Sequence, residues 1–277
     1  MLEVAVLGSG SQGNALLIRA GATVVLVDAG LSAKQLCLRM AGLGVAPDSL
    51  AGILLTHEHG DHTRGLRVLC GKRDLPVFCN RETREALVEA RSDWQALDWR
   101  LFESGNAFVL GGLEVRSFLI PHDAAEPLGF CLRKGEARFG VLSDVGHVTH
   151  LAREGLRGAQ GLFLEANYDE QLLEEDLKRP WSTKQRIASR HGHLSNEQAT
   201  ELVAELAETG LETVVFGHLS RDCNQAERLL RRARERCGEK EPQMHVAEQE
   251  RALGWLRIGK PPVRRAFQAD LFDRAVA

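Results

Sequence analysis

The sequence THEHGDH, residues 56–62, directly follows the apolar run AGILL of residues 51–55, which predicts a buried strand. Its potential metal ligands are His57, His59, Asp61 and His62. In an extended segment His57 and His59 point to the same side, and a turn at Gly60 can bring the last two ligands back to them. Because a catalytic metal usually keeps three protein ligands, the cluster predicts half of a two-metal site. A polar loop that is histidine-rich by chance is the alternative.

The sequence around this motif alternates strand and helix signals. Strands are predicted within the first 30 residues, and residues 32–44 predict a helix that begins at Ser32 and ends at glycine. Short β segments separated by turn residues run together from about residue 99 to 143, and helices alternate with strands from about residue 147. These two β-rich halves, each flanked by helices, predict an α/β fold, a four-layer αββα sandwich, over residues 1–259.

Composition limits the classes of function. The 277 residues are 44% apolar, enough for a sizeable core. A net charge of −3 excludes nucleic-acid binding through global charge, so any such role must rest on local patches. The N-terminus does not resemble a signal peptide, no apolar run approaches the ~18 residues of a membrane span, and the six cysteines form no C-x-x-C pair. We expect a cytoplasmic protein with reduced thiols and no membrane partner.

The pattern H-x-H-x-D-H after a strand resembles the metallo-β-lactamase superfamily, whose αββα fold matches the predicted layout. The resemblance implies three further ligands at strand ends: His122 in LIPHDA, Asp144 in VLSDVG and His218 in VVFGHLS. It implies two divalent metal ions. The first would be held by His57, His59, His122 and Asp144, and the second by Asp61, His62, His218 and the shared Asp144. Because no ligand is a cysteine, zinc, manganese and iron all remain open.

Two features near the first strands resemble supporting parts of such a site. Asp28, in LVDAG, matches a family aspartate that orients a ligand histidine. The alternative is an aspartate at a strand-end turn. The loop GSGSQGN, residues 8–14, could offer backbone N–H groups to an anion, or it could be a plain tight turn.

Two more elements resemble the tRNA-processing nuclease branch of the superfamily. Glu165, in LFLEAN, and His193, in RHGHLSNEQA, match a pair in which the glutamate holds the histidine against the scissile phosphate. Such a histidine can protonate the leaving oxygen. Residues 177–196 contain five basic residues and no acidic one. Those predicted to hold the phosphate backbone are Lys184, Arg186 and Arg190. The alternatives are a histidine at a helix start, a surface glutamate and a solvated helix face.

The motifs taken in order resemble the YycJ/WalJ branch, which is regarded as DNA exonucleases tied to repair. The resemblance implies that two metals lower the pKa of a bound water, and that the hydroxide attacks phosphorus in line. The implied catalytic residues are His193, Glu165, Asp61 and Asp144. The alternatives are an RNA-processing nuclease, a thioester or lactone hydrolase of the same fold, and a metal-bound non-catalytic module. Direction of digestion and oligomeric state stay open.

Residues 260–277 predict a flexible C-terminal tail. Within it QADLF, residues 268–272, resembles the pentapeptide with which bacterial replication and repair proteins bind the β sliding clamp. The side chains that carry this resemblance are Gln268, Leu271 and Phe272. The two apolar side chains would each contribute roughly 1.5–3 kcal/mol when buried in a partner's pocket. Alternatively, they dock onto this protein's own surface.

Overall fold

Two mixed β-sheets form the centre of the computed structural model, which describes residues 1–259. The first sheet has the strand order β14-β1-β2-β3-β4-β5-β6 and the second β13-β12-β11-β10-β9-β8-β7. The strands of the first sheet are β1 (Leu2–Gly8), β2 (Ala15–Ala20), β3 (Thr23–Val27), β4 (Leu50–Leu54), β5 (Val77–Cys79), β6 (Trp99–Leu101) and β14 (Leu253–Ile258). Those of the second are β7 (Ala107–Leu110), β8 (Leu113–Leu119), β9 (Leu128–Lys134), β10 (Ala137–Leu142), β11 (Gly161–Glu165), β12 (Thr213–Gly217) and β13 (Gln243–Val246).

Nine α-helices occur within residues 1–259, and several of them cover the outer faces of the sheets. They are α1 (Ala33–Gly42), α2 (Gly60–Thr63), α3 (Leu66–Cys70), α4 (Arg81–Ala90), α5 (His150–Leu156), α6 (Glu170–Glu175), α7 (Trp181–Ile187), α8 (Asn196–Ala207) and α9 (Ala226–Cys237). One apolar cluster joins the inner faces of both sheets, a second joins the first sheet to α1, α3 and α4, and a third joins the second sheet to α5, α8 and α9. The predicted αββα sandwich is confirmed.

Helices α1 and α8 begin at serine side chains that accept hydrogen bonds from the first backbone N–H groups of the helix. Ser32 begins α1, as predicted, and its hydroxyl accepts a hydrogen bond from the Gln35 backbone. At α8 the Ser195 hydroxyl accepts from the Gln198 backbone, while the Gln198 side chain accepts from the Ser195 backbone. No helix within residues 1–259 combines the length and the apolar character that a membrane crossing requires.

Strand β14 differs from the predicted arrangement, in which each sheet comes from one half of the chain. It comes from the far end of the described chain, yet it pairs antiparallel with β1, with Leu2 opposite Ile258. Neither β13 nor β14 was predicted from the sequence. Both are partly exposed edge strands of their sheets. Strand β13, QMHV, alternates polar and apolar residues over only four positions, and β14, LGWLRI, is interrupted by Gly254 and Arg257, so neither gives a clear strand signal.

The carboxyl ends of several strands point to one end of the sandwich. Strands β3 and β4 run parallel in the first sheet, and β10, β11 and β12 run parallel in the second. The residues that follow or end these strands are Asp28, His57, Asp144, Glu165 and His218. In open α/β sheets this edge is where ligands bind, and here it collects the chemically active side chains.

Candidate metal centre

Three histidines form the first ligand cluster. His57, His59 and His122 offer ring nitrogens that lie within 4.8 Å of one another. His57 is fully buried, and its Nε2 atom has no hydrogen-bond partner in the structure. An unpaired polar atom in a protein interior is costly, so the geometry fits a cation at this point.

The second cluster contains Asp61, His62, Asp144 and His218, whose ligand atoms also lie within 4.8 Å of one another. Asp144 Oδ2 is 2.9 Å from His62 Nε2, and Asp144 Oδ1 is 4.0 Å from His122 Nε2 of the first cluster. Asp144 therefore stands between the two clusters, where a carboxylate shared by two metal ions would have to stand. The His218 Nε2 atom is buried and unpaired, like that of His57.

The electrostatics of the centre favour added positive charge. Burial, reinforced by neighbouring His62, holds the pKa of His57 well below its usual range, which keeps the imidazole neutral as a metal ligand must be. Burial opposes protonation of His62 and His218, but the surrounding carboxylates together outweigh it and raise the pKa of each well above the usual range. Asp144 contributes most to both, with Asp28 acting on His62, and Asp61 and Glu165 acting on His218. The carboxylates of the centre therefore stabilise positive charge, which two divalent ions could supply.

Backbone strain is concentrated at the same point. Within residues 1–259, the residues other than glycine with a positive φ are Asp28 at 58°, Asp144 at 53° and His218 at 55°. Each such conformation costs on the order of 1–3 kcal/mol and persists where the surroundings impose it. All three lie at strand ends that face the ligand clusters. The strained backbone is therefore located at residues of the two predicted ligand clusters and at Asp28 behind them.

Asp28 lies behind a predicted ligand, as an orienting role requires. His62 Nδ1 donates to Asp28 Oδ2 at 2.7 Å, which leaves His62 Nε2 directed toward Asp144. The Thr56 backbone N–H donates to Asp28 Oδ1 at 2.9 Å, and the Thr56 hydroxyl donates to Asp28 Oδ2 at 2.9 Å. Because the carboxylate is fixed by two separate donors, it can fix the ring in turn.

Ser9 and Asn14 are neighbours of the cluster that sequence reasoning missed. The Ser9 hydroxyl accepts from the His218 backbone N–H at 2.7 Å and donates to Asn14 Oδ1 at 2.9 Å. The Asn14 amide nitrogen lies 3.2 Å from His62 Nε2. The one sequence signal for them is their place in the loop GSGSQGN, whose composition indicates backbone contacts rather than side-chain contacts.

That loop is a tight turn bonded to its surroundings rather than an anion-binding site. The Gly10 N–H donates to Asn14 Oδ1 at 3.0 Å, the Gln12 N–H to Gln249 Oε1 at 2.9 Å, and the Gly13 N–H to the Gly10 carbonyl at 3.0 Å. These three N–H groups already donate to acceptors within the protein. They are therefore not free to bind an anion. The loop serves instead to hold Ser9 and Asn14 against the cluster.

Glu165 and His193 form a pair at the edge of the centre. His193 Nδ1 donates to Glu165 Oε1 at 2.7 Å, and its ring lies 3.7 Å from Asp144 Oδ1. Glu165 is fully buried, which rules out a surface glutamate. Burial disfavours the charged His193 ring, but the Glu165 carboxylate outweighs this effect and raises the pKa of His193. The ring is thereby suited to carry a proton that it can give away.

Glu165 also contacts a predicted ligand, which the sequence did not indicate. The same Oε1 atom accepts from His218 Nδ1 at 2.7 Å, and Oε2 accepts from the backbone N–H groups of Val145 at 2.9 Å and Leu194 at 3.2 Å. Its ligand atoms lie close to those of His193, Asp144 and His218 as well. With its oxygens already engaged by four donors, Glu165 is better placed to position both histidines than to bind a metal.

The predicted phosphate-binding residues lie on and after α7. Arg186 Nε donates to Asp123 Oδ2 at 2.8 Å, next to the ligand His122. The Lys184 ammonium donates to the Glu174 carbonyl at 2.7 Å, and Arg190 Nη2 lies 3.1 Å from His147 Nε2. Arg186 therefore lies next to the centre, already paired to a carboxylate, whereas Lys184 bonds to the end of α6 and Arg190 to His147. The tail residues Gln268, Leu271 and Phe272 lie outside the described residues.

Comparison with known proteins gives several similar sequences. A family model described as a beta-lactamase superfamily domain matches residues 23–219. The chain is 36% identical over 228 residues to exodeoxyribonuclease YycJ of Bacillus anthracis, covering 82% of this chain and 85% of the relative. It is 33% identical over 224 residues to exodeoxyribonuclease WalJ of Streptococcus pneumoniae serotype 2, covering 80% and 83%. Ribonuclease Z of Mycobacterium tuberculosis is 44% identical over 68 residues, covering 22% and 24%.

Solved structures agree on the architecture. The metallo-beta-lactamase fold protein YhfI of Bacillus subtilis aligns with a TM-score of 0.68 at 16% identity, covering 91% of this chain and 99% of that one. The short form of human tRNase Z aligns with a TM-score of 0.64 at 17% identity, covering 93% and 100%. At such low identities these likenesses concern the fold alone.

Proposed function

This chain belongs to the beta-lactamase superfamily and is a metal-dependent hydrolase, and on that premise we propose that it is a DNA exonuclease that works with two divalent metal ions. Its similarity to two exodeoxyribonucleases spans more than three quarters of the chain. Action in DNA repair and a cytoplasmic location are parts of the same proposal. The six free cysteines of the described region suit a reducing compartment.

The observation that carries the proposal is the Glu165–His193 pair beside two ligand clusters. Phosphodiester cleavage creates an alkoxide leaving group that needs a proton, unlike the release of a thiolate. His193 lies next to Asp144 and is held by a buried carboxylate, which matches that need. A thioesterase would have no use for this pair. A lactone also opens to an alkoxide, so the argument against a lactonase is the similarity to the two exodeoxyribonucleases.

The chain's own residues divide the work. His57, His59 and His122 would hold one ion, Asp61, His62 and His218 the other, and Asp144 both. When bound, the ions would neutralise charge on the phosphate and lower the pKa of a bound water to near neutrality. Asp28 and Ser9 would keep ligand groups in position, Glu165 would fix the His193 ring, and His193 would give its proton to the leaving oxygen.

Contact with the DNA backbone is proposed for Lys184, Arg186 and Arg190. Phosphate contacts position a strand without reading its sequence, which suits an exonuclease. Manganese and zinc are the favoured ions because imidazole and carboxylate ligands suit both, and iron is the third candidate.

A degradation assay tests the proposal directly. Purified protein, with manganese or zinc added, should shorten end-labelled single-stranded or duplex DNA stepwise from one end, and chelator should stop the reaction. Labelled RNA of the same sequence runs in parallel, and faster loss of the RNA would favour an RNA-processing nuclease instead. Hydrolysis of thioesters or lactones with intact DNA and RNA would contradict the proposal, as would inactivity of the metal-loaded protein on all these substrates.

The tail offers a means of bringing an acidic enzyme to DNA. We propose that Gln268, Leu271 and Phe272 bind the DNA sliding clamp, which would raise the local concentration of the enzyme on the duplex. Replacing both Leu271 and Phe272 with alanine should weaken clamp binding by roughly 10²-fold or more, because each apolar side chain contributes roughly 1.5–3 kcal/mol when buried. Titration of purified clamp against the two proteins measures the change.

The matched control is Val263→Ala, an apolar truncation in the same tail outside the pentapeptide. It should bind the clamp as the wild type does. Equal binding by the wild type and the double variant, or binding by neither, would end the clamp proposal and leave the metal centre unaffected.

A further inference from the structure

An exposed aromatic side chain lies on the segment that leads to His193. Trp181 is 68% exposed and Leu177, four residues earlier, is 98% exposed. Trp181 opens α7, and no residue of this helix is buried. The indole therefore adds little to the core of the protein. A large apolar side chain left in water beside a functional site is typical of a surface that binds something.

The segment is attached to the metal centre at its far end. The Ile187 carbonyl accepts from the His193 backbone N–H at 2.9 Å, and the Gly192 carbonyl accepts from His122 Nδ1 at 3.0 Å. From Trp181 to Ile187 the helix rises about 9 Å at about 1.5 Å per residue. A stacked strand rises about 3.4 Å per nucleotide. Helix α7 thus spans on the order of two or three nucleotides between Trp181 and the end that is bonded to His193.

The charges on this segment favour a polyanion as the occupant. Among residues 1–259, Lys184 and Arg190 have no carboxylate within the 4.0 Å of an ion pair. Residues 177–196 contain no acidic side chain. A basic surface with an exposed aromatic ring is the combination with which proteins bind single-stranded nucleic acid, the cations tracking phosphates and the ring stacking on a base.

We propose that Trp181 stacks on a nucleobase of the DNA strand that enters the metal centre. This inference rests on the proposed nuclease function and names a residue that binds its substrate. A base inside a duplex is covered on both faces by its neighbours, so the indole would meet a base where the strand has separated from its complement, as at the end being digested. In a single strand each base has a face free for stacking.

A comparison of natural and base-free strands tests the proposal. The probes are a fluorescein-labelled thymidine 12-mer and the same length of tetrahydrofuran abasic residues, both with phosphorothioate terminal linkages to slow digestion. Anisotropy titration should show Trp181→Ala binding the natural strand about 5- to 150-fold more weakly than the wild type. Trp181→Phe, which keeps an aromatic face, should recover most of the affinity. On the abasic strand Trp181→Ala and the wild type should bind alike.

Leu38→Ala is the matched control, because Leu38 is 62% exposed on the outer helix α1. This variant should bind both strands as the wild type does. Equal weakening of Trp181→Ala on natural and abasic strands would overturn stacking in favour of a general effect on the segment. Unchanged binding would overturn it too, and loss of self-association by Trp181→Ala in sedimentation would then identify a second copy of the chain as the occupant.

A substrate without bases separates this proposal from the nuclease function. Bis(p-nitrophenyl) phosphate offers a phosphodiester and no nucleobase, so its hydrolysis by the metal-loaded wild type reports on the centre alone. If the metal-loaded wild type hydrolysed neither this compound nor DNA, the proposed nuclease function would be contradicted. The binding comparison would then still decide whether Trp181 contacts bases.

Discussion

Replacing Asp144 with asparagine is expected to lower turnover ~10³-fold or more and to deplete the protein of metal. Asp144 stands between the two ligand clusters, so removal of its charge weakens both ion sites at once. Each catalytic ion supplies several kcal/mol of transition-state stabilisation, and 1.36 kcal/mol corresponds to tenfold in rate. Elemental analysis should find up to two metal equivalents per chain in the wild type and a clear deficit in the variant.

Asparagine is a sharper test than alanine because Asp144 has a φ of 53°. Asparagine tolerates this left-handed conformation and keeps the volume, whereas alanine would add backbone strain to the loss of charge. Asp144→Ala should lose metal and activity as well, with a lower melting temperature. The exposed Asp48→Asn serves as the control and should behave as the wild type. A folded Asp144→Asn protein with full metal content and full activity would refute the assignment.

Replacing His193 with alanine is expected to lower turnover on DNA by ~10²–10⁴-fold while metal content stays unchanged. The ring is the proposed proton donor to the leaving oxygen and belongs to neither of the two proposed ion sites. Its neighbour His191, which is exposed, provides the matched control, and His191→Ala should retain full turnover. Turnover is measured with end-labelled DNA and metal content by elemental analysis.

The leaving group separates proton donation from a merely structural role. p-Nitrophenolate departs as a stable anion near neutral pH, so hydrolysis of bis(p-nitrophenyl) phosphate needs no general acid. His193→Ala should therefore lose less than ~10-fold on this substrate. Equal losses on both substrates, or unchanged turnover on DNA, would contradict the role. Glu165→Gln should differ from His193→Ala by also losing metal. The reason is that Glu165 contacts His218 as well as His193.

The grouping of the proposed ligands could be predicted because they stand at strand ends or, for Asp61 and His62, in the short helix α2 that follows β4. His57 and His59 are close in sequence and follow β4, while His122 and His218 come directly after apolar runs that end strands. Parallel strands bring such ends to one edge, and the resemblance to a known fold supplied the partners. The proximity of these ligands could therefore be predicted although they lie far apart in the sequence.

The supporting contacts could not be predicted in the same way. Ser9 acts through the backbone of His218, and small polar residues in loops are too common to single one out. The second contact of Glu165 depends on β11 and β12 lying side by side with a particular register. Such roles are set by tertiary pairing rather than by a local pattern, so they emerge only from coordinates.

The pairing of β14 with β1 has a consequence for synthesis of the chain. All seven proposed ligands precede residue 219, yet β1 keeps an open edge until Ile258 can pair with Leu2. A nascent chain on the ribosome therefore contains every ligand before its first sheet can close. During that interval the unpaired edge of β1 is open to strands of other chains. Gln249, which binds the loop behind His218 and His62, also follows every proposed ligand in the chain. Completion of the candidate metal centre thus waits for β14, the last strand within residues 1–259.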